Sequence, residues 1–232
     1  MTECGYLPSS DRQDRFATLR TTMAYRVWRR KLRRYAGLGR RSRFKLLDVG
    51  CGPGYLLRSM EGWFPHSERC GLDREPQLLD FAGRHLVGAQ LVQGMAESLP
   101  FGENAFDVVC SLHVLEHLVH PEILLSEARR VLRPAGLFLA ATPNPEGIAA
   151  RVLKDQWPGR RDDHVSLKTP HAWREMITAA GLEILEEGTT GLSGFQLFCR
   201  TPLALLNWLP LAVFGCFPWR HGESYMVIAR KR

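Results

Sequence analysis

From residue 44 onward, short apolar runs alternate with segments in which apolar residues recur every three or four positions. The short runs predict buried strands, and the longer spacing predicts amphipathic helices. Strands that alternate with helices are typical of βαβ units, which build a parallel sheet with helices on both faces. The predicted strands are 44–49, 69–73, 89–93, 106–111, 136–142, 182–188 and, as a closing edge strand, 223–231. The predicted helices are 55–64, one that begins at Pro76, 121–132 with a stop at 134–136, and 170–181.

Residues 14–35 predict a further amphipathic helix, ahead of the first strand. Its apolar stripe comprises Phe16, Leu19, Met23, Val27, Leu32 and Tyr35. We therefore expect residues 1–43 to form a basic helical segment that covers the ligand pocket of a domain formed by residues 44–232.

Positive charge is concentrated in this N-terminal segment. Residues 26–45 contain ten basic residues and no acid, whereas the whole chain has a net charge of +7. A solvated helix face is one interpretation, since most charge runs are solvated. The others are a surface for RNA phosphates, for anionic lipid headgroups or for an acidic small molecule.

Residues 195–219 form an apolar segment that is unusual for a protein of this composition. Arg200, Pro202, Pro210 and Pro218 interrupt it, so it offers no continuous span of about 20 apolar residues, the length that a membrane helix needs. We interpret it as an apolar insertion packed on the domain. A lid over a hydrophobic substrate and a contact with a membrane surface stay open.

The cysteines and the N-terminus bear on the cellular compartment. Six cysteines are scattered without a CxxC pair, which favours reduced thiols, and residues 1–16 lack the apolar core of a secretory signal. We expect a cytoplasmic protein, with peripheral membrane association left open by residues 195–219.

The segment LLDVGCGPG (46–54) lies where the first strand turns into the next helix. Ligands of open parallel sheets bind at this edge, and Gly50, Gly52 and Gly54 allow a backbone to approach a ligand closely. The carboxylate of Asp48 suits an amino or sulfonium group better than a pyrophosphate, which it would repel. Asp73 ends the second strand, where it can accept hydrogen bonds from ribose hydroxyls. The GxGxG spacing also differs from the GxGxxG of dinucleotide sites.

Five segments in order resemble the motifs of class I S-adenosylmethionine-dependent methyltransferases of the small-molecule type. They are LLDVGCGPG (46–54), GLD (71–73), QGMAESLPF (93–101), FDVVCSLHVLEHL (106–118) and LRPAGLFLAATPN (132–144). The resemblance implies a Rossmann-like α/β fold, with a seven-stranded, mostly parallel sheet, helices on both faces and an antiparallel closing strand. It also implies S-adenosylmethionine as the cofactor and S-adenosylhomocysteine as the product.

The same resemblance implies a set of cofactor-binding residues. Met95 stands where the family usually has Asp, which makes Glu97 the candidate partner of the adenine amino group. The cofactor-binding residues predicted in this way are Asp48, Gly50, Gly52, Gly54, Asp73, Arg74, Met95, Ala96, Glu97 and Leu112.

Polar residues that could carry the chemistry follow the fourth strand. His113, Glu116 and His117 are spaced to lie on one side of a helical turn, and His164 follows the fifth strand. Three interpretations stay open: a structural hydrogen-bonding group, a general base among His117, His113 and His164, and a divalent metal held by the three histidines and Glu116. The metal interpretation rests on resemblance to ubiquinone-pathway O-methyltransferases and small-RNA 2′-O-methyltransferases, which have a carboxylate in place of His113.

Together these features predict methyl transfer to a small-molecule acceptor, specifically a hydroxyl of a hydrophobic or lipid-linked metabolite. An RNA 2′-O-methyltransferase, a non-catalytic S-adenosylmethionine-binding protein and a nicotinamide-dependent oxidoreductase stay open as alternatives. We expect no nucleic-acid partner, because no RNA-binding module accompanies the basic segment. The sequence does not predict an oligomeric state.

Overall fold

The computed structural model describes residues 14–190 and 220–232, with side chains from Tyr25 onward. The apolar segment 195–219 therefore lies outside the described residues, and of the predicted apolar stripe the side chains of the C-terminal part are described. Among the residues that the structure describes, no helix combines the length and the apolar character needed to cross a membrane.

Strands and helices alternate along the described chain as the pattern predicts. The strands are β1 Lys45–Val49, β2 Glu68–Asp73, β3 Ala89–Gln93, β4 Phe106–Leu112, β5 Leu132–Pro143, β6 Leu182–Thr189 and β7 Ser224–Lys231. The helices are α1 Asp14–Ala36, α2 Tyr55–Trp63, α3 Pro76–His85, α4 Pro121–Val131, α5 Ile148–Leu153 and α6 Pro170–Ala179. Two short 3-10 turns, Leu115–His117 and Lys154–Gln156, complete the regular structure of the described residues.

The seven strands form one sheet in the order β3-β2-β1-β4-β5-β7-β6. β1 to β5 are parallel to one another, and β7 pairs antiparallel with both β5 and β6. One face of the sheet packs against α4 and α6, through residues such as Leu124 and Trp173. The other face packs against α1 and α2, through residues such as Leu32 and Leu57. The predicted fold class, a mostly parallel sheet with helices on both faces and an antiparallel last strand, is confirmed.

Two details of the predicted sheet are wrong. β7 is not an edge strand: it lies between β5 and β6, and β6 forms the edge. The burial explains why, since the residues from Tyr225 to Ala229 are buried on both faces, whereas β6 contains three glutamates. β5 also begins at Leu132, directly after α4 and before the predicted start of this strand at residue 136, so that the predicted helix stop at 134–136 lies within the strand. A register shift and a left-handed Ala135 (φ 62°) accommodate these residues within the strand.

Candidate active site

The loops that follow β1, β2 and β4 meet at the carboxyl edge of the sheet. The backbone N–H groups of Gly50 and Cys51 both donate to the carbonyl of Leu72, at 2.7 and 3.0 Å. A Cβ at Gly50 would overlap the Val114 side chain, so the loop after β1 requires a residue without a side chain here. This contact places the glycine-rich turn beside the polar residues that follow β4.

The glycine-rich turn depends on glycine for two reasons. Gly50, Gly52 and Gly54 all have positive φ, at 71°, 49° and 79°, a conformation that other residues rarely adopt. A Cβ at Gly54 would also lie 2.7 Å from Leu86, whereas a Cβ at Gly52 would meet nothing within 4 Å. At Gly54 the turn is packed against the Leu86 side chain, whereas at Gly52 it is open, so a ligand can approach the backbone there.

Asp48 and Asp73 place two carboxyl groups beside this turn. Asp73 accepts hydrogen bonds from the N–H groups of Gly52 (2.7 Å) and Glu75 (3.0 Å), and each of its oxygens keeps a further lone pair. Asp48 is buried, and no described residue donates a hydrogen bond to its carboxyl group. Burial and, second, the charge of Asp73 raise the pKa of Asp48 to about 8. A cationic group beside Asp48 would relieve this unfavourable burial.

The other predicted cofactor-binding residues differ in how far they are buried and in their partners. Glu97 has a buried oxygen, Oε2, without a hydrogen-bond partner in the described structure, whereas the Met95 side chain is 52% exposed. Ala96 packs against the core, and Leu112 is half-buried at the end of β4. Arg74 is exposed and forms an ion pair with its neighbour Glu75. The buried carboxyl groups and the open glycine turn fit a ligand with a cationic amino-acid end and hydroxyl or amino donors, as S-adenosylmethionine has.

Glu116, His117 and His164 form a cluster above the end of β4. One ligand atom from each residue lies within 4.8 Å of the other two, and the two imidazole rings meet edge to face at 4.7 Å. Glu116 is 1% exposed, and its Oε2 atom has no hydrogen-bond partner among the described residues. The fold therefore brings together residues 116 and 117 with residue 164, as the sequence predicted, although their role stays a prediction.

Backbone carbonyls orient both imidazoles of this cluster. His117 Nδ1 lies 3.0 Å from the carbonyl of Asp163, and His164 Nδ1 lies 2.7 Å from that of Gly159. Because a carbonyl only accepts, both Nδ1 atoms carry the proton, and in a neutral ring the lone pair is then on Nε2. Such a ring can take a proton or bind a metal through Nε2, and a carbonyl on the opposite nitrogen is the usual support of metal-binding histidines.

His113 contacts this cluster without being part of it. Its Nδ1 lies 3.2 Å from Oε1 of Glu116, and the side chain is 48% exposed. Desolvation lowers the pKa of His113, but the hydrogen bond and the charge of Glu116 outweigh it, so that the pKa is raised overall. The residue also has φ 60°, a strained conformation for a residue with a side chain. The predicted helical turn is a 3-10 turn, Leu115–His117, which begins only after His113.

The loop that carries His164 is fixed by contacts that the sequence did not reveal. Ser166 N–H donates to the carbonyl of Glu116, at 2.9 Å. Trp157 packs so closely on Gly159 that a Cβ there would overlap its ring. Trp157 Nε1 in turn donates to Glu223, a buried carboxylate that also accepts from the N–H of Ala149. The one sequence signal for this support is an acid at the start of an otherwise apolar strand, which is costly to bury without partners.

The cysteines near the turn do not supply a nucleophile. Cys51, Cys70 and Cys110 are buried free thiols, and burial raises the pKa of each above its usual value. A thiol with a raised pKa stays protonated, and only the thiolate is a good nucleophile. The histidine cluster is therefore the better candidate for chemistry among the described residues.

Comparisons with known proteins agree with this geometry. A family model described as a methyltransferase domain matches residues 19–187. The chain is 31% identical over 150 residues to a ubiquinone biosynthesis O-methyltransferase of Cereibacter sphaeroides, a match that covers 60% of each protein. It is 35% identical over 107 residues to a fatty-acid O-methyltransferase of Mycolicibacterium smegmatis, covering 44% of this chain and 38% of that protein. These matches thus span less than two thirds of the relatives' length.

A solved structure shows the same fold. It is that of an S-adenosylmethionine-dependent methyltransferase from Mesorhizobium loti, 19% identical in sequence. The structures superpose with a TM-score of 0.59, which covers 88% of this chain and 98% of the other. At this identity the similarity establishes the architecture, and fold alone does not determine the reaction.

Proposed function

Since this chain belongs to the methyltransferase domain family, we propose that it methylates a hydroxyl group of a hydrophobic or lipid-linked small molecule, with S-adenosylmethionine as the methyl donor. The observation that carries the proposal is the cluster of Glu116, His117 and His164 beside the glycine-rich turn. A hydroxyl group is a poor nucleophile until its proton is removed, and this cluster offers groups that can remove it.

The cofactor end of the site is proposed to work by charge and by close backbone approach. Asp48 pairs with the amino group of the methionine moiety, Asp73 accepts from the ribose hydroxyls, and Glu97 accepts from the adenine amino group. The cofactor supplies a methyl group activated by its sulfonium, which is already a good leaving group. The protein's own task is therefore to align the acceptor with the methyl group and to exclude water.

The acceptor end is proposed to remove the hydroxyl proton. His117 and His164 both present Nε2, so either imidazole can accept the proton directly, while Glu116 stabilises the charge that develops. His113, in contact with Glu116, influences the charge of the cluster from its half-exposed position.

A divalent metal fits the same cluster. Glu116 has a carboxylate oxygen without a partner among the described residues, and the two histidines are oriented by carbonyls, so these three residues would hold the ion. A bound divalent metal would lower the pKa of the acceptor hydroxyl. Carboxylate and imidazole together suit Zn²⁺ or Mn²⁺ as well as Mg²⁺.

The proposed substrate class has separate support. The two relatives are named for ubiquinone biosynthesis and for fatty acids, and both names specify O-methylation. An apolar segment at 195–219 is consistent with a hydrophobic acceptor. These features support a hydroxyl on a hydrophobic or lipid-linked molecule over a nucleic acid.

A labelling experiment tests the proposal. The purified protein is incubated with methyl-labelled S-adenosylmethionine and an extract of its source cell, with and without a chelator, and the products are separated into small molecules, lipids, RNA and protein. We expect label in the small-molecule or lipid fraction, released by treatments that cleave O-methyl groups. Label in RNA, or no label while S-adenosylhomocysteine still binds, would overturn the proposed acceptor or the proposed catalysis, respectively.

Substitution of Glu116 tests the role of the cluster. Glu116→Gln keeps the size of the side chain and removes its charge, and we expect a loss of transfer rate of about 10²-fold or more, as for other positioned acid–base groups. The control is Glu122→Gln, which changes an exposed carboxylate on α4. S-adenosylhomocysteine affinity should be unchanged in both variants. Equal rates in both variants would show that the cluster is structural.

A further inference from the structure

A basic face covers the solvent side of α1 and the loop after it. Its members are Arg26, Arg29, Arg30, Arg33 and Arg34 of the helix and Arg40, Arg41 and Arg43 of the loop. All are exposed except Arg29, which is half-buried against Trp63. On the helix these arginines lie opposite the buried Val27, Trp28, Lys31 and Leu32, so the charges point to solvent together.

The charges of the basic face are not neutralised by any acidic group of the described residues. None of its arginines forms an ion pair with a residue that the structure describes. Elsewhere in the described chain most arginines do so, including Arg69, Arg130, Arg133 and Arg161. Unpaired guanidinium groups at this density repel one another, which is a cost that a bound polyanion would remove.

The helix that carries the basic face is firmly attached to the sheet. Lys31, which is 4% exposed, forms an ion pair with Glu186 of β6 at 3.0 Å. Tyr35 donates to the same carboxylate, and Arg230 donates to the backbone carbonyl of Tyr35. Among the described side chains of α1, the one basic residue that turns inward, Lys31, is therefore the one with a carboxylate partner in the fold.

The basic face is separate from the candidate active site. The loop after α1 leads into Lys45, the first residue of β1, and so lies at the amino edge of the sheet. Arg29 contacts Trp63, the last residue of α2, near that same edge. The glycine-rich turn and the histidine cluster lie at the carboxyl edge. A partner on the basic face would leave the cofactor site open.

We propose that the basic face docks the protein on the surface of a membrane that contains anionic phospholipids. A membrane supplies many phosphates on a broad surface and requires no exact spacing, which suits a convex helix and loop. RNA is disfavoured because the described aromatic residues of this segment, Tyr25, Trp28 and Tyr35, pack against the core and are not displayed as a row of exposed rings on which bases could stack. The inference does not depend on which acceptor the enzyme methylates.

Vesicle binding tests this proposal with charge-matched variants. Full-length protein is sedimented with vesicles of phosphatidylcholine alone and of phosphatidylcholine with about one third phosphatidylglycerol, at low and at high salt. One variant replaces Arg26, Arg30, Arg33 and Arg34 by Gln. The control replaces Arg58, Arg84, Arg151 and Arg220 by Gln, which removes the same charge from exposed positions outside the basic face.

We expect binding to the anionic vesicles only, weakened by salt as exposed charges are screened. The face variant should lose binding about tenfold or more, while the control binds like the original protein. Replacement of the same four residues by Lys should restore binding, because the membrane senses charge and not the shape of the guanidinium group. An unchanged affinity for S-adenosylhomocysteine will show that the variants are folded.

Three results would overturn the proposal. Equal loss in both Gln variants would show a nonspecific effect of net charge. Undiminished binding of the face variant would place the membrane contact elsewhere in the chain. Salt-sensitive binding of RNA without binding of anionic vesicles would identify a nucleic acid as the partner of this face.

Discussion

Single buried carboxyl groups determine most of the chemistry that this site can perform. Glu97 and Glu116 each have one buried carboxyl oxygen without a hydrogen-bond partner among the described residues. Asp48 is buried, and no described residue donates a hydrogen bond to its carboxyl group. Burial of such a group is costly unless a ligand completes it. We therefore propose each of the three as a contact for the cofactor, a metal or the acceptor.

The titration of Asp48 predicts a pH dependence of cofactor binding. Its pKa of about 8 means that the carboxyl group is largely protonated at pH 6 and must lose the proton to pair with a cationic amino group. The affinity for S-adenosylhomocysteine should therefore rise with pH from 6 to about 8, by up to about tenfold per pH unit. Calorimetric titration at pH 6, 7 and 8 measures this slope.

Asp48→Asn is the variant that isolates this effect. We expect this variant to bind S-adenosylhomocysteine more weakly at pH 8 and to show no rise in affinity with pH. The exposed control Asp80→Asn should keep both the affinity at pH 8 and its rise with pH.

The raised pKa of Asp48 also affects stability. In the free protein it means that the folded state holds the proton more tightly than the unfolded state. Asp48 therefore contributes stability at low pH that is lost as the pH rises from about 4 to 8, and Asp48→Asn should remove this loss. If affinity and stability change with pH in the same way in the original protein, in Asp48→Asn and in Asp80→Asn, the pH effect belongs to another group.

At the scale of elements, the loop between β5 and α6 decides whether the histidine cluster exists. This loop contains α5, the 3-10 turn Lys154–Gln156 and His164, and it is held by Trp157 and by the buried Glu223, which directly precedes β7. Asn144 fixes its beginning, since its amide donates to the carbonyls of Arg220 and Gly222. The cluster thus depends on a strand that lies about 60 residues later in the chain than His164.

Gly159→Ala tests this support without touching the cluster. The added methyl group would overlap the Trp157 ring and displace the carbonyl that orients His164. We expect the methyl-transfer rate to fall about tenfold or more and the free energy of unfolding to fall by about 1–3 kcal/mol, the usual cost of overpacking. Transfer assays and thermal unfolding measure the two effects.

Gly62→Ala is the matched control for this substitution. Gly62 is exposed on α2, and a Cβ there would meet nothing within 4 Å, so alanine should stabilise the helix by about 0.5–1 kcal/mol. Its transfer rate should equal that of the original protein. A Gly159→Ala variant that is equally active would show that His164 does not need this orientation.

At the scale of the whole molecule, the sheet separates two surfaces of different character. Its carboxyl edge carries buried acids, glycine and the histidine cluster, and its amino edge is flanked by the basic face. All of the net positive charge is located in residues 26–45, while the rest of the chain is slightly acidic. With this separation, the proposed chemistry at one edge and the proposed membrane contact at the other would not obstruct each other.

Ligand binding should stabilise the whole domain, because the turn and Asp73 join β1 to β2 only in the folded state. S-adenosylhomocysteine at 100 times its dissociation constant should raise the free energy of unfolding by about 2.7 kcal/mol, which corresponds to a rise in Tm of roughly 5–10 °C. NADH at the same concentration should leave Tm unchanged. Stabilisation by NADH instead would return the nicotinamide-dependent interpretation to the first place.

The sequence by itself determined the features that depend on neighbours along the chain. Apolar periodicity predicted each strand that was found and placed most of their ends within a residue or two, and the glycines of 46–54 predicted the turn with its positive φ angles. It also predicted the candidate cluster, because His113, Glu116 and His117 are neighbours and His164 follows the next strand. Such local signals arise from backbone geometry, which a few adjacent residues fix.

Only the tertiary structure decided how distant segments pair. The sequence placed 223–231 at the edge, but burial on both faces puts β7 between β5 and β6. It predicted His113 and His117 equally as candidate bases, yet the fold leaves the His113 side chain half-exposed. Glu116 is buried, and one of its oxygens has no partner among the described residues. The sequence's one indication of the support for His164 was an acid at the start of the last predicted strand, and nothing in the sequence paired that acid with Trp157. These outcomes depend on which strands and helices pack against one another and exclude water. That is a property of the packed sheet and not of any one segment.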